Sequence, residues 1–419
     1  MLKKVVKFFG TALLVLIVAI AAFTSYYSSV LPETFTILEG DSPFLNIFPF
    51  SVSTSQNTYC TNLNIYDKNT YQSDSKTNYT AKLKFLNILP IKTVQVNVSP
   101  KKAVIPCGTP FGVKIYTQGV IVIEISDVMT AEGLISPAKN AGLQKGDIIT
   151  KINGESVSCN EDLEQIFQKY GCDDINLSVI RNEQPMNISI KPIKSCDDEK
   201  YRAGIWVRDS SAGIGTLTYI DSETNTFAGL GHGICDIDTG KVLPVAKGEI
   251  VKACISSVKR GRVGFPGELK GHFINSESMG TLYDNNNIGL YGIIKGSVEG
   301  SETLNIGMKQ HVKKGPAKIL TTVDGDKPYY YDINIDSINY NTNCPTKNIK
   351  ITVTDPILIE KTGGIVQGMS GSPIIQNGML IGAVTHVFIN NPSKGYAIFA
   401  ETMMTNSNRL FDCEYKKAS

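Results

Sequence analysis

The chain opens on an unbroken apolar run from Phe8 to Phe23, preceded by Lys3, Lys4 and Lys7 and followed by Thr24-Ser25-Tyr26-Tyr27. A run of that length predicts a membrane helix, and the lysines keep its start inside, placing the rest of the chain on the outer face. Ala21-Ala22 would suit cleavage of a signal segment. Phe23, Tyr26 and Tyr27 instead suit the interfacial belt of a retained anchor, which is the favoured reading. Residues 31–80 are rich in turn residues, Asn, Thr and Ser, and read as an extended stalk interrupted by an apolar patch from Phe44 to Phe50. Alternation then sets in: Leu83 and Phe85, followed by Val94, Val96 and Val98, predict two strands between Ala81 and Val98. Val113 to Tyr116 reads as a further strand. Glu161 to Tyr170 carries Leu163, Ile166 and Phe167 at helical spacing. Ser195 to Lys200 is a polar linker. Beyond it, residues 201–415 hold many short apolar runs punctuated by glycine, such as Tyr329-Tyr330-Tyr331 continuing into Ile333, Ile335 and Ile338. That is about the length two six-stranded barrels need, so the fold is expected to be mainly β.

Composition narrows the partners. At 419 residues the chain has room for two or three domains, and a net charge of +2 with no basic cluster excludes a nucleic-acid footprint. Nine cysteines are scattered with no C-x-x-C pair, which argues against a disulfide framework. His232-x-x-Cys235 alone resembles a pair of metal ligands, and no second pair accompanies it. Neither a metal nor a cofactor is expected.

The candidate chemistry lies in Gly368-Met369-Ser370-Gly371-Ser372-Pro373, followed by the apolar Ile374-Ile375. Flanking glycines allow a serine on a tight turn, and the N–H groups of Gly368 and Ser370 could converge as an oxyanion hole. A serine hydroxyl needs a base, and the chain has four histidines. His232 stands between glycines in an apolar stretch and is the first choice. His386, on the strand after the serine, is the second, while His272 and His311 read as surface residues. Asp355, at the end of the alternating run Ile351-Thr352-Val353-Thr354, is the favoured carboxylate. Asp236 is a weaker rival, and Lys361 would serve a serine–lysine dyad.

FAGLGHGICD together with TDPILIEKTGGIVQGMSGSPIIQNGMLIGAVTH resembles the stage IV sporulation protein B family, PDZ-containing serine peptidases of endospore-forming bacteria. The resemblance implies a PDZ domain followed by a chymotrypsin-like double β-barrel behind an N-terminal membrane helix. It places the family's catalytic histidine on His232, its aspartate on Asp355 and its serine on Ser370. The acidic residue that precedes the serine in secreted digestive peptidases, and pairs with a freed N-terminus, is replaced by Met369, so activation should use another switch. Thr109-Pro110-Phe111-Gly112-Val113-Lys114-Ile115 resembles a PDZ carboxylate-binding loop and peptide-pairing strand, with Phe111, Gly112 and Val113 as peptide contacts. Ser136 to Ile149 and Ile152-Asn153-Gly154-Glu155 resemble the short helix, turn and strand of the same domain.

The expected division is a membrane segment at 1–30, an extracytoplasmic stalk at 31–102, a PDZ domain at 103–195 and a peptidase at 196–419. The resemblance further implies a membrane-tethered endopeptidase in the space between forespore and mother cell, released if the segment is cut. It would process itself and cut a negative regulator of an intramembrane metalloprotease, leading to activation of a late mother-cell sigma factor. Its own N-terminal segment would be a PDZ ligand. A catalytically idle PDZ adaptor and an HtrA-like quality-control peptidase are the rival readings.

Overall fold

The computed structural model describes residues 2–39, 50–54, 79–86, 88–296, 302–340 and 343–418. Strands hold 52% of the chain and helices 18%. Helix α1 (Leu2–Val30) contains a span from Lys7 to Val30 long and apolar enough to cross a membrane. Its end is not a free belt, because the Phe23 ring lies 4.8 Å from Phe85 and the Tyr27 ring 5.0 Å from Phe50. Those partners sit on a four-stranded sheet of β1 (Thr34–Leu38), β2 (Phe50–Thr54), β3 (Tyr79–Phe85) and β4 (Leu89–Ser99). The sheet has its own core of Phe35, Ile37, Leu83, Val94 and Val96. The described residues of 31–102 are therefore a packed sheet and no loose stalk; residues 40–49, 55–78 and 87, which include most of the apolar patch and of the Asn/Thr/Ser-rich stretch, lie outside the described residues. Lys92 on β4 donates to the carbonyls of Ser28 (3.0 Å) and Leu31 (2.7 Å), satisfying helix-end acceptors that would otherwise lack partners.

β5 (Ala103–Pro106) and the long β6 (Pro110–Ile125) follow. The first half of β6 enters a barrel; its second half leaves it and begins the PDZ fold. That fold contains β7 (Val128–Thr130), β8 (Gly133–Ile135), α2 (Pro137–Asn140), β9 (Ile148–Ile152), β10 (Glu155–Ser156), α3 (Asn160–Tyr170), β11 (Ile175–Arg181) and β12 (Gln184–Ile190), with the short pair β13 (Ile193–Lys194) and β14 (Tyr201–Arg202) behind. The expected helix at 161–170 is present, with Leu163, Ile166 and Phe167 buried. Asn153 and Gly154 take positive φ in the expected tight turn between β9 and β10.

β15 (Ile205–Ile220) closes the PDZ fold with its first half and re-enters the barrel with its second. The remaining strands of that barrel are β16 (Thr226–Gly229), β17 (Lys247–Lys259), β18 (Glu268–Asn286) and β19 (Gly289–Ile294). The ladder β6–β15–β16–β19–β18–β17 returns to β6 and so closes on itself. A second ring follows β20 (Leu304–Ile306): β21 (Gly315–Thr321), β22 (Tyr329–Ile338), β23 (Ile349–Val353), β24 (Pro373–Gln376), β25 (Met379–Phe388) and β26 (Asn391–Phe399). It too closes, in the order β21–β22–β23–β26–β25–β24. Helix α4 (Pro356–Thr362) lies between β23 and β24, and α5 (Ala400–Ala418) ends the chain. β5 joins the rings by pairing with β15 and β20.

Residues 103–106 and 110–116, within the stretch expected to be the PDZ domain, thus pair with strands of the barrels. The first barrel therefore draws strands from both sides of the expected boundary at 195/196. The peptide contacts expected at Phe111, Gly112 and Val113 are corrected as well. Gly112 is paired with Ile214 on one side and Val251 on the other, and Phe111 and Val113 are each 1% exposed. A strand hydrogen-bonded along both edges offers no edge to a peptide.

Candidate active site

Ser370 lies on the turn between α4 and β24, half-buried. Gly368 and Gly371 on either side have φ of +96° and +97°. At Gly371 a Cβ would come within 2.0 Å of the Thr216 carbonyl oxygen, so only glycine fits. Met369 between them is fully buried in the core of the second barrel, and both the N–H and the hydroxyl of Ser372 donate to its carbonyl. Apolar burial pins this loop where digestive peptidases use an ion pair; burying a methionine stabilises by about 1.5–3 kcal/mol. The N–H groups of Gly368 and Ser370 have no acceptor among the described residues. Two free donors beside a serine are what an oxyanion hole requires.

His232 follows the first-barrel strand β16, on a turn entered through Leu230 (φ +64°). The carbonyl of Gly233 lies 2.9 Å from His232 Nδ1. A carbonyl only accepts, so this contact puts the proton on Nδ1 and leaves the Nε2 lone pair free to act as a base. Burial is the larger influence on this imidazole and lowers its pKa; the Gly233 carbonyl partly offsets that. Its ring centroid lies 5.2 Å from that of His386 on β25. Burial first, then the charges of His232 and Lys347, push His386 down to about 4. Its Nδ1 is buried without a partner among the described residues. The Ser370 hydroxyl donates at 2.8 Å to the carbonyl of Thr385, the residue before His386. His232 and Ser370 thus both neighbour the Thr385-His386 segment of β25, where the barrels meet, with the serine proton resting on a main-chain carbonyl.

Asp355 is not brought there. Its Oδ1 accepts from the N–H groups of Ile357 (2.9 Å) and Leu358 (3.0 Å), and its Oδ2 from that of Asp332 (3.2 Å). It is the N-cap of α4. His386 pairs with Tyr396, which pairs with Lys350, so Asp355 lies about 16 Å further along the barrel wall at roughly 3.3 Å per residue. The expectation of a carboxylate orienting His232 from position 355 is corrected: turn chemistry before Pro356 claims that side chain. There, with Lys361, Asp355 lines a surface pocket of about 450 Å3 that also includes the side chains of Tyr329, Tyr330 and Tyr331. Asp236, the weaker rival, is buried against Arg208 and accepts from the Thr239 N–H at 2.8 Å. His272 is exposed as expected, while His311 is half-buried in a short helical turn, where its Nδ1 accepts from the Met308 N–H.

Asn285 was not singled out by its sequence. Its side chain accepts from the Ile234 N–H and donates to the carbonyls of Ile234 and Leu243, clamping the loop that follows His232. The only signal was its place in an Asp-Asn-Asn-Asn run, which reads equally well as an exposed turn.

Residues 199–404 match the SpoIVB peptidase S55 family, and residues 94–191 match the PDZ domain. The chain is a PDZ-containing serine peptidase whose peptidase region matches the SpoIVB family. Among solved structures, the PDZ domain of the SdrC-like protein of Listeria monocytogenes is 21% identical. That match covers 22% of this chain and 90% of that one, with a TM-score of 0.19. The Rv3671c protease of M. tuberculosis, in its active form, is 14% identical over 47% of this chain and 73% of that one, with a TM-score of 0.27. An inactive form of the same protease is 13% identical over 47% of this chain and 83% of that one, with a TM-score of 0.26. No curated relative matches the chain.

Proposed function

We propose that Ser370 is the nucleophile and His232 the general base of this peptidase, with the N–H groups of Gly368 and Ser370 as its oxyanion hole. The observation that carries this reading is that His232 and Ser370 both neighbour the Thr385-His386 segment, beside two uncommitted N–H donors. Proton transfer on this reading requires the serine to turn about χ1 from the Thr385 carbonyl towards His232 Nε2, a move between staggered wells. The base accepts the proton as Oγ attacks a peptide carbonyl, and returns it to the leaving amine. The Gly233 carbonyl takes the place of a triad carboxylate in fixing the imidazole tautomer.

The apolar helix α1 and the match to the family support a tethered enzyme on the outer membrane face, acting in sporulation signalling. Its substrates would be its own chain and a membrane partner that restrains an intramembrane metalloprotease. A fluorophosphonate probe should label the wild-type chain at Ser370 and leave Ser370→Ala and His232→Ala unlabelled. Equal labelling of wild type and Ser370→Ala, or of neither, counts against the reading and favours an idle adaptor. N-terminal sequencing of the protein from cells reports self-cleavage.

A further inference from the structure

Between the two catalytic loops runs β15, and one of its residues bonds to both. Thr216 is 2% exposed, and its Oγ1–H donates to the carbonyl of Gly368 at 2.7 Å. Its N–H donates to the carbonyl of Ser370 at 3.2 Å, and its own carbonyl accepts from Leu230 at 3.3 Å. Leu230 stands two residues before His232; Gly368 and Ser370 are the two oxyanion donors. Thr218, on the same face of β15, adds a bond from its Oγ1–H to the carbonyl of Gly371 at 2.7 Å. From these contacts we infer that Thr216 is a positioning residue of the peptidase site, holding the histidine turn of the first barrel in register with the serine loop of the second. The inference rests on the assignment of His232 and Ser370 above.

The physical reason is the way a peptide unit is fixed. Gly368 has no side chain and a left-handed φ, so nothing in its own structure prevents the peptide after it from rotating. Holding its carbonyl fixes the peptide unit it shares with the Met369 N–H, the unit that lies between the Gly368 and Ser370 donors. The bond is partly buried, its donor side chain fully so, and losing the donor leaves a carbonyl short of a partner. The loop would turn to find another partner, and the oxyanion donors would turn with it. Removing one oxyanion donor outright slows acyl transfer by about 10²–10³-fold, so misaiming a retained donor should slow it less.

The test uses the full chain in detergent and the fluorophosphonate probe, with saturation kinetics separating the maximal labelling rate from the half-saturating concentration. Thr216→Val keeps the shape and removes the donor; its maximal rate should fall by about 10- to 100-fold with little change in half-saturation. Thr216→Ser keeps the hydroxyl and should label at close to the wild-type rate. Thr117→Val, which deletes another buried threonine hydroxyl outside both loops, controls for general loosening. A Thr216→Val chain labelling at the wild-type rate would overturn the inference. So would a Thr216→Ser chain labelling about 10-fold or more below the wild-type rate, an arm that stands even if the valine variant fails to fold. Absence of labelling in the wild type would sink the serine assignment instead, so the two failures can be told apart.

Discussion

At the scale of single residues, the two neighbouring histidines are held neutral by their surroundings. His386 titrates near 4 in the fold, against 6.5 for a free histidine. The unfolded chain therefore binds its proton first as the pH falls. The stability from a neutral His386 is complete above about pH 6.5 and is lost as the pH falls towards about 4. His232 is lowered as well, chiefly by burial, so its base form should persist below the ordinary histidine range. Thermal melts from pH 7.5 to 4.5 should show the wild type losing stability on acidification and His386→Phe losing less of it. An equal loss in both would place the acid sensitivity elsewhere.

At the scale of elements, Asp355 shows how one residue type serves two chemistries. An aspartate before proline at a strand end reads as a triad member or as a helix cap, and the three N–H groups on its carboxylate make it the cap. Asparagine caps about as well as aspartate, whereas alanine costs about 1 kcal/mol. Asp355→Asn should therefore keep both stability and probe labelling, and Asp355→Ala should lower the melting temperature while Ser370 still reacts. A collapse of labelling in Asp355→Asn with the melt unchanged would restore the carboxylate to the mechanism.

At the scale of the whole molecule, the PDZ fold and the first barrel share two strands, because β6 and β15 each run through both. A fragment starting at residue 196 lacks Ala103–Pro106 and Pro110–Tyr116, the strands that seat β15 and β17. It should be insoluble or unreactive towards the probe, while a fragment starting at residue 100 should fold and label. Circular dichroism and labelling of the two fragments decide this, and a folded, reactive 196–419 fragment would contradict the shared-strand architecture. The four-stranded sheet also bears on the peptidase. Leu38 of β1 is buried with Val104, Ile306 and Met403, and the Gln310 side chain donates to the Thr36 carbonyl.

Apolar spacing and turn chemistry are local, so the N-terminal apolar helix, the α3 helix, the Asn153-Gly154 turn and the pair of barrels could be read from the order of residues. The tight turn at Gly368 to Gly371 was legible for the same reason, since its glycines are demanded by backbone conformations a few residues long. Pairing across a sheet joins positions a hundred residues apart, and no local pattern encodes it. That is why only the tertiary structure showed that Phe111 to Val113 sit between two barrel strands, that Asp355 caps a helix, and that Thr216 bonds to both the turn before His232 and the loop of Ser370.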